Sequence, residues 1–290
     1  MGKFLKVAAC SAFLLASACT TANAQTPGVA PAAAAGTAGV TPATIDGKPN
    51  LNGIWQVMNG ANWNLEPHSA TAAPDTRVDR AIGAWGAVPA SLGVVEGGEI
   101  PYRPEVLEQR NARRAEGKDP EKACYLPGIP RATYMGLPFQ IIQGGGDILM
   151  AYEYASANRV IHIGEIEIPP IDTWMGTSYG SWEGNTLVVT TLAQNGESWL
   201  DRAGNFVAPT TTVVERFTPM GPNHIDYQVT FDDPELYTRP WTIKMPLYRR
   251  MEENAQLLEF KCVPFAEMYL YGDLYETMDD EAKARLGVEE

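Results

Sequence analysis

The sequence predicts a mainly β protein built as a single antiparallel barrel, with a β-sandwich as the alternative and a few peripheral helices, one of them at the C-terminus. Three observations carry that expectation. From Pro138 onward apolar and polar residues alternate with period two, most cleanly at Ile225, Tyr227, Val229, Phe231 and at Trp241, Ile243, Met245, Leu247. The alternating runs number eight or nine and are short. Tight turns such as Gly144-Gly145-Gly146-Asp147 and Glu183-Gly184-Asn185 join most of them, where a parallel α/β sheet would need helical crossovers. A barrel of about eight strands can enclose one small ligand.

The elements follow in chain order. Residues 1–24 read as a secretory signal: Lys3 and Lys6, an apolar run from Val7 to Ala18, and Ala22-Asn23-Ala24 as the cleavage site. Cys19 after Ala16-Ser17-Ala18 offers a competing lipoprotein reading, although a large aliphatic residue is wanted where Ala16 stands. Residues 25–48 form an Ala/Gly/Pro/Thr-rich tether with too little apolar surface to offset its ordering entropy. The folded domain spans 49–290. It begins at Leu51-Asn52-Gly53-Ile54-Trp55 and continues through an irregular Ala/Gly/Pro-rich stretch, Met58 to Ile100, that carries Trp63 and Trp85. Arg103 to Gly117 predicts a helix: Pro104 suits an early position, Glu105 and Glu108 lie near the start, Arg110, Arg113 and Arg114 nearer the end, and Gly117 is a stop. Strands are expected at Phe139–Gln143, Ile148–Tyr154, Arg159–Ile163, Thr186–Leu192, Thr211–Thr218, His224–Phe231, Trp241–Leu247 and Gln256–Lys261. A last helix is expected around Tyr275–Leu286, with Thr277 and Asp280 able to cap it.

Composition narrows the function. The 290 residues carry 22 basic and 35 acidic side chains, a net charge of −13. Without residues 1–24 the balance is 20 basic against 35 acidic, a net −15. Such a chain has no basic stripe for nucleic acid or anionic membrane. No later apolar run reaches transmembrane length. Of four cysteines, Cys124 and Cys262 remain beyond the signal. In an oxidising compartment such a pair favours a disulfide, and a catalytic or metal-binding thiol is the alternative.

The chemistry-bearing motifs are few. There is no Gly-rich phosphate loop, dinucleotide fingerprint or nucleophile elbow, and His68, His162 and His224 are too dispersed for a local metal motif. Neither a metal nor another cofactor is therefore expected. The suggestive residues are charges alternating with apolar neighbours: Glu153 with Leu149 and Ala151, Arg159 with Ile161 and Ile163, Glu215 with Val213 and Phe217, Glu259 with Leu257. An inward charge must be paired or shift its pKa. Glu153 and Arg159 flank one short loop and could meet across neighbouring strands. Two other segments stand out. Asp172 to Gly184 packs Trp174, Met175, Tyr179 and Trp182 among small residues, as a ligand-lining wall or a core would. Cys124 to Tyr134 is a Pro/Gly loop that would present Arg131 and Tyr134 over a barrel mouth, or form a simple lid.

Several of these words together resemble a family of secreted, largely uncharacterised bacterial proteins described as lipocalin-like. They are Leu51-Asn52-Gly53-Ile54-Trp55, the Cys124–Tyr134 loop, Pro138-Phe139-Gln140-Ile141, Tyr152-Glu153-Tyr154, Trp174-Met175-Gly176, Gly180-Ser181-Trp182-Glu183-Gly184-Asn185-Thr186-Leu187-Val188-Val189, Asp233-Pro234, Thr238-Arg239-Pro240-Trp241 and Glu259-Phe260-Lys261-Cys262. The resemblance runs from about Leu51 to Asp273. It implies a small barrel with a central pocket and brings no settled reaction. Relatives tend to carry His where this chain has Ser181 and Asp where it has Asn185.

The functional expectation is an exported, cofactor-free enzyme acting on a small, partly apolar molecule (aromatic, terpenoid or steroid-like) by acid–base lyase or isomerase chemistry. Asp172 or Glu153 would move a proton, Arg159 and Arg131 would stabilise negative charge, and Tyr134 would donate or orient. His162 is a further acid–base candidate, although it shares a face with Val160, opposite to Arg159. Trp174, Met175, Tyr179, Tyr154 and Glu259 are the candidate ligand contacts. The alternatives are a non-catalytic periplasmic carrier for a hydrophobic compound and a carbohydrate-active or carbohydrate-binding protein using Trp174, Trp182, Trp199 and Trp241. The sequence leaves the oligomeric state open.

Overall fold

A computed structural model describes residues 44–72, 87–260 and 262, all within one compact unit. The signal, the tether up to residue 43, Trp85 and the C-terminal helix fall outside the described residues. The end of the tether is structured. β1 (Thr44–Ile45) and β2 (Lys48–Pro49) pair around Asp46-Gly47, both at positive φ, the conformation an Asp-Gly hairpin turn requires.

Alternation builds the rest. β3 (Gly53–Gln56) is followed by β4 (Thr71–Ala72) and β5 (Ala87–Val88), which pair only with each other. Then come β6 (Phe139–Gln143), β7 (Ile148–Tyr152), β8 (Asn158–Ile163), β9 (Thr177–Glu183), β10 (Thr186–Leu192), β11 (Thr212–Pro219), β12 (His224–Asp232) and β13 (Trp241–Arg249). Nine strands close into a barrel in the order β3-β6-β7-β8-β9-β10-β11-β12-β13 and back to β3. Each antiparallel pairing reverses strand direction, and a closed ring must return to its starting direction, so nine strands need an odd number of parallel pairings. There is one, β8 with β9, joined by the long connection 164–176 that parallel neighbours require. Closure decides the barrel over the sandwich. The core is the barrel interior: Phe139 and Ile141, Ile148 and Met150, Val213 and Phe217, Tyr227, Val229, Phe231, and the inward row of β13 are all buried. Phe231 stacks on Trp241 with centroids 4.1 Å apart.

Two helices stand outside the sheet among the described residues. α1 (Pro104–Glu116) has the predicted polarity, and Gly117, at φ 64, ends it by returning its N–H to the Arg113 carbonyl. α2 (Arg131–Tyr134) is one short turn. No described helix is long and apolar enough to cross a membrane.

Two strand expectations change. Gln256–Lys261 is no strand over its described part, residues 256–260. β3 takes the closing position instead, pairing with β13 at Tyr248 and Arg249 and with β6 at Phe139 to Ile141, so no sheet edge is left there for a C-terminal strand. The rest of that β13 edge is covered by Val94–Glu96, through Glu96 N–H to the Thr242 carbonyl and Lys244 N–H to the Val94 carbonyl. Strand β7 ends at Tyr152. Glu153 is helical (φ −64, ψ −41), and Ala155 and Ser156 follow at positive φ.

The Leu51–Trp55 word is the latch that closes the ring. The Asn52 side chain donates to the Gln143 carbonyl and accepts from the Gln143 N–H, and the Leu51 N–H donates to the Gln143 side chain. Trp55 Nε1 donates to the Leu51 carbonyl, and the Arg249 guanidinium lies 4.3 Å above the Trp55 ring. Gly53 sits at φ +148, and a Cβ there would run into Arg249 Nη1. Gly53→Ala is therefore expected to lower stability by roughly 1–3 kcal/mol. A urea midpoint unchanged from wild type would show that β3 is not under this constraint.

Candidate functional site

Strand alternation turns Arg159 of β8 into the barrel with Ile161, and leaves Val160 and His162 outside. The same rule turns Glu215 of β11 and Tyr227 of β12 inward. Arg159 is 5% exposed, and Glu215 and Tyr227 are fully buried. Arg159 Nη1 donates to Glu215 Oε2 at 2.7 Å, and the Tyr227 hydroxyl donates to Glu215 Oε1 at 2.7 Å. Glu215 thus has a donor on each oxygen. Tyr152 of β7 completes the inner polar group, with its hydroxyl 3.4 Å from Thr133 Oγ1 and 3.7 Å from Met150 Sδ.

Electrostatics fixes the protonation of this group. Burial alone would lower the Arg159 pKa, but the Glu215 carboxylate and the nearby tyrosines outweigh it, so Arg159 stays charged. Burial first, and then the Glu215 charge, push Tyr227 well above the ordinary tyrosine value. Burial also raises the Tyr152 pKa. Both hydroxyls therefore keep their protons. One feature is left unsatisfied: Arg159 Nε and Nη2 are buried and have no hydrogen-bond partner among the described residues. Buried polar groups nearly always have one, because an unmade bond costs the full desolvation of the donor.

The other expected site residues are distributed differently. Glu153 is buried but does not meet Arg159; its Oε2 accepts from the Leu258 N–H, because the helical turn at residue 153 takes it out of the strand alternation. Leu149 and Ala151 face outward, while Ile148, Met150 and Tyr152 face in. Asp172 is exposed on the β8–β9 connection. His162 is exposed and pairs with Asp147, Nδ1 to Oδ2 at 2.9 Å. It faces Tyr179 on the outer surface, with ring centroids 6.0 Å apart.

Arg131 and Tyr134 are not presented over a mouth. Arg131 is 1% exposed and all its nitrogens are engaged: Nε with Asn62, Nη1 and Nη2 with the two Asp119 oxygens, and Nη2 also with Glu121 at 2.6 Å. Arg202 grips both oxygens of the same Glu121. The Tyr134 hydroxyl donates to the Leu200 carbonyl at 2.9 Å. These groups clasp the 119–134 loop to the 198–205 loop. Tyr154, also buried, donates to the carbonyls of Glu121 and Tyr125. The Cys124–Cys262 disulfide is formed, with Cα atoms 5.5 Å apart, and ties residue 262 to this loop. Phe260 tilts against Tyr154 at 5.3 Å beside it.

Of the candidate ligand contacts and tryptophans, Met175, Trp199 and Trp241 belong to the buried core, and Trp182 packs against it. Trp174 is half-buried and stacked on the exposed Tyr125, with centroids 4.8 Å apart. Glu259 is exposed near the disulfide. Ser181 and Asn185, where the resembled family tends to carry His and Asp, are exposed on the β9–β10 hairpin. Sequence reasoning singled out Glu215 as an inward charge but did not place it at the site, and it missed Tyr152 and Tyr227 there. The available signal was Tyr227 within the cleanest alternating run.

Among the described residues no group of three or more His, Cys, Asp or Glu is placed to hold a metal ion. The chain was also compared with family models, curated proteins and solved structures, and it matches none of them.

Proposed function

We propose that the protein is exported and binds a small, partly apolar molecule inside its barrel, with Arg159 as the polar contact. The observation that carries this reading is the pair of buried guanidinium nitrogens that no described residue partners, set beside Glu215, Tyr227 and Tyr152 in a mainly apolar interior. Export is supported by the N-terminal sequence and by a disulfide suited to an oxidising compartment. N-terminal sequencing of the mature protein is expected to begin at Gln25; an intact Met1 would refute export. The lipocalin-like resemblance agrees with this reading.

Carriage is favoured over turnover. Both Glu215 oxygens are engaged, both interior tyrosines hold their protons, and Asp172 and His162 are exposed. Acid–base lyase or isomerase chemistry is the second reading, because Arg159, Glu215 and Tyr227 form a continuous hydrogen-bonded chain along which a proton could move. The carbohydrate reading is weakened, since Trp199 and Trp241 are buried and Trp174 stacks on Tyr125. The test is a thermal-shift screen of apolar aromatics, terpenoids, steroids and sugars, followed by product analysis of the hits. A raised Tm with an apolar class and no conversion supports carriage, and conversion supports the enzyme. Shifts with sugars alone would overturn the proposal.

A further inference from the structure

We propose that the molecule held in the barrel carries a single carboxylate, gripped side-on by Nε and Nη2 of Arg159. This rests on the binding reading above and names its ligand class. The argument is one of donor geometry and charge. Nε–H and the adjacent Nη2–H leave a guanidinium in parallel on one edge, and that fork matches the two oxygens of a carboxylate. The opposite nitrogen, Nη1, is committed to Glu215. The unpartnered groups are thus the two that form one bidentate edge, rather than two unrelated donors.

Three neighbours restrict what that edge can take. Glu215 lies against the same guanidinium and opposes a second negative charge, which disfavours phosphate dianions and dicarboxylates. Strand pairing places Met150 directly beside Arg159, and Ile161 lies on the same inner face, so the body of the ligand meets apolar side chains. Tyr227 is spent on Glu215, and among the described residues the Tyr152 hydroxyl has only the long contacts to Thr133 and Met150, which leaves Tyr152 as a further donor in the group. The class is therefore an apolar monocarboxylic acid. An alcohol, ester or hydrocarbon of the same skeleton would leave the edge unmatched.

The test uses isothermal titration of the mature, oxidised protein with octanoate and 3-phenylpropionate, each beside its methyl ester and primary alcohol. The acids are expected to bind roughly 10–100-fold more tightly than the alcohols, the difference a charge-assisted bidentate pair supplies. Arg159→Lys keeps the charge and removes the fork, and is expected to lose most of that preference. The wild-type series alone remains decisive if the variant fails to fold. If esters and alcohols bind as tightly as the acids, the carboxylate assignment falls and the barrel reading stands. If none of the six compounds binds, both fall. If the acids bind with equal strength to wild type and Arg159→Lys, the carboxylate is held elsewhere and the assignment is overturned.

Discussion

Arg131→Met is expected to destabilise the protein by roughly 3–5 kcal/mol, the usual result of removing one partner from a buried ionic group. Methionine nearly matches the volume of the aliphatic stem, so the loss reports the charge. Without Arg131, the 3% exposed Asp119 keeps the Glu121 N–H as its side-chain partner among the described residues, and Glu121 keeps Arg202 and Asn62. Asp119→Asn added to Arg131→Met removes the stranded charge while keeping the acceptor that starts the 3-10 turn at Pro120, and it should recover part of the loss. Urea unfolding at neutral pH measures both. A single-variant change below about 1 kcal/mol would mean that the clasp contributes little beyond packing.

The same clasp sets an acid limit. Burial alone would raise the Glu121 pKa, but Arg131 and Arg202 together outweigh it and hold the carboxyl at about 2, below the ordinary 4.5. A carboxyl depressed in the folded state contributes stability that is fully present above about pH 4.5. That stability is lost as the pH falls toward 2, because the unfolded chain takes up the proton first. Arg131→Met removes one of the two cations, so its acid transition should move to higher pH.

Removing the Cys124–Cys262 bridge is the second large effect. The cysteines are 138 residues apart, and the entropy such a loop takes from the unfolded chain corresponds to roughly 5 kcal/mol at most, with 2–5 kcal/mol the common range. The double Cys124→Ser, Cys262→Ser variant and reduced wild type should therefore unfold at similar, lower urea concentrations. Oxidised wild type should run faster than reduced protein on a denaturing gel. Equal unfolding midpoints for oxidised and reduced wild type would show that the bridge does not constrain the folded chain.

The comparison of sequence with structure has a physical pattern. Strand β12 was the most legible because it puts its large apolar residues on one face only; β6, β7, β10, β11 and β13 show the same inward row, although Ile142, Leu149, Val188, Val214 and Tyr248 face outward. β9 was not: its inward residues include Ser178 and Gly180 while Tyr179 faces outward, which inverts the usual contrast. Gly180 must be small, since a Cβ there would fall 2.6 Å from Ile161 Cγ2. β3 has four residues, and its partners lie more than eighty positions away, so no local period could reveal its closing role. At the site, Arg159 and Glu215 were each visible as charges in apolar runs. Their pairing across 56 positions was not, and sequence adjacency pointed to Glu153 instead. The helical turn at Glu153 decided between them, and positive φ at Ala155 and Ser156 is not written in those residue types. Arg131 and Tyr134 looked functional because they sit on a rigid loop. Asp119 and Glu121 lie within the same loop, but the commitment of Arg131 to Asn62 and of Tyr134 to Leu200 depends on long-range packing that the loop sequence does not encode.

The central claim is that Arg159 holds a ligand inside the barrel, and a crystal structure of the mature protein soaked with 3-phenylpropionate tests it most directly. The account predicts the carboxylate in the barrel interior with its two oxygens within hydrogen-bond distance of Arg159 Nε and Nη2, and the Glu215 pairing to Nη1 retained. Ordered water alone on those two nitrogens, with the compound bound outside against Tyr125 and Trp174, would contradict it.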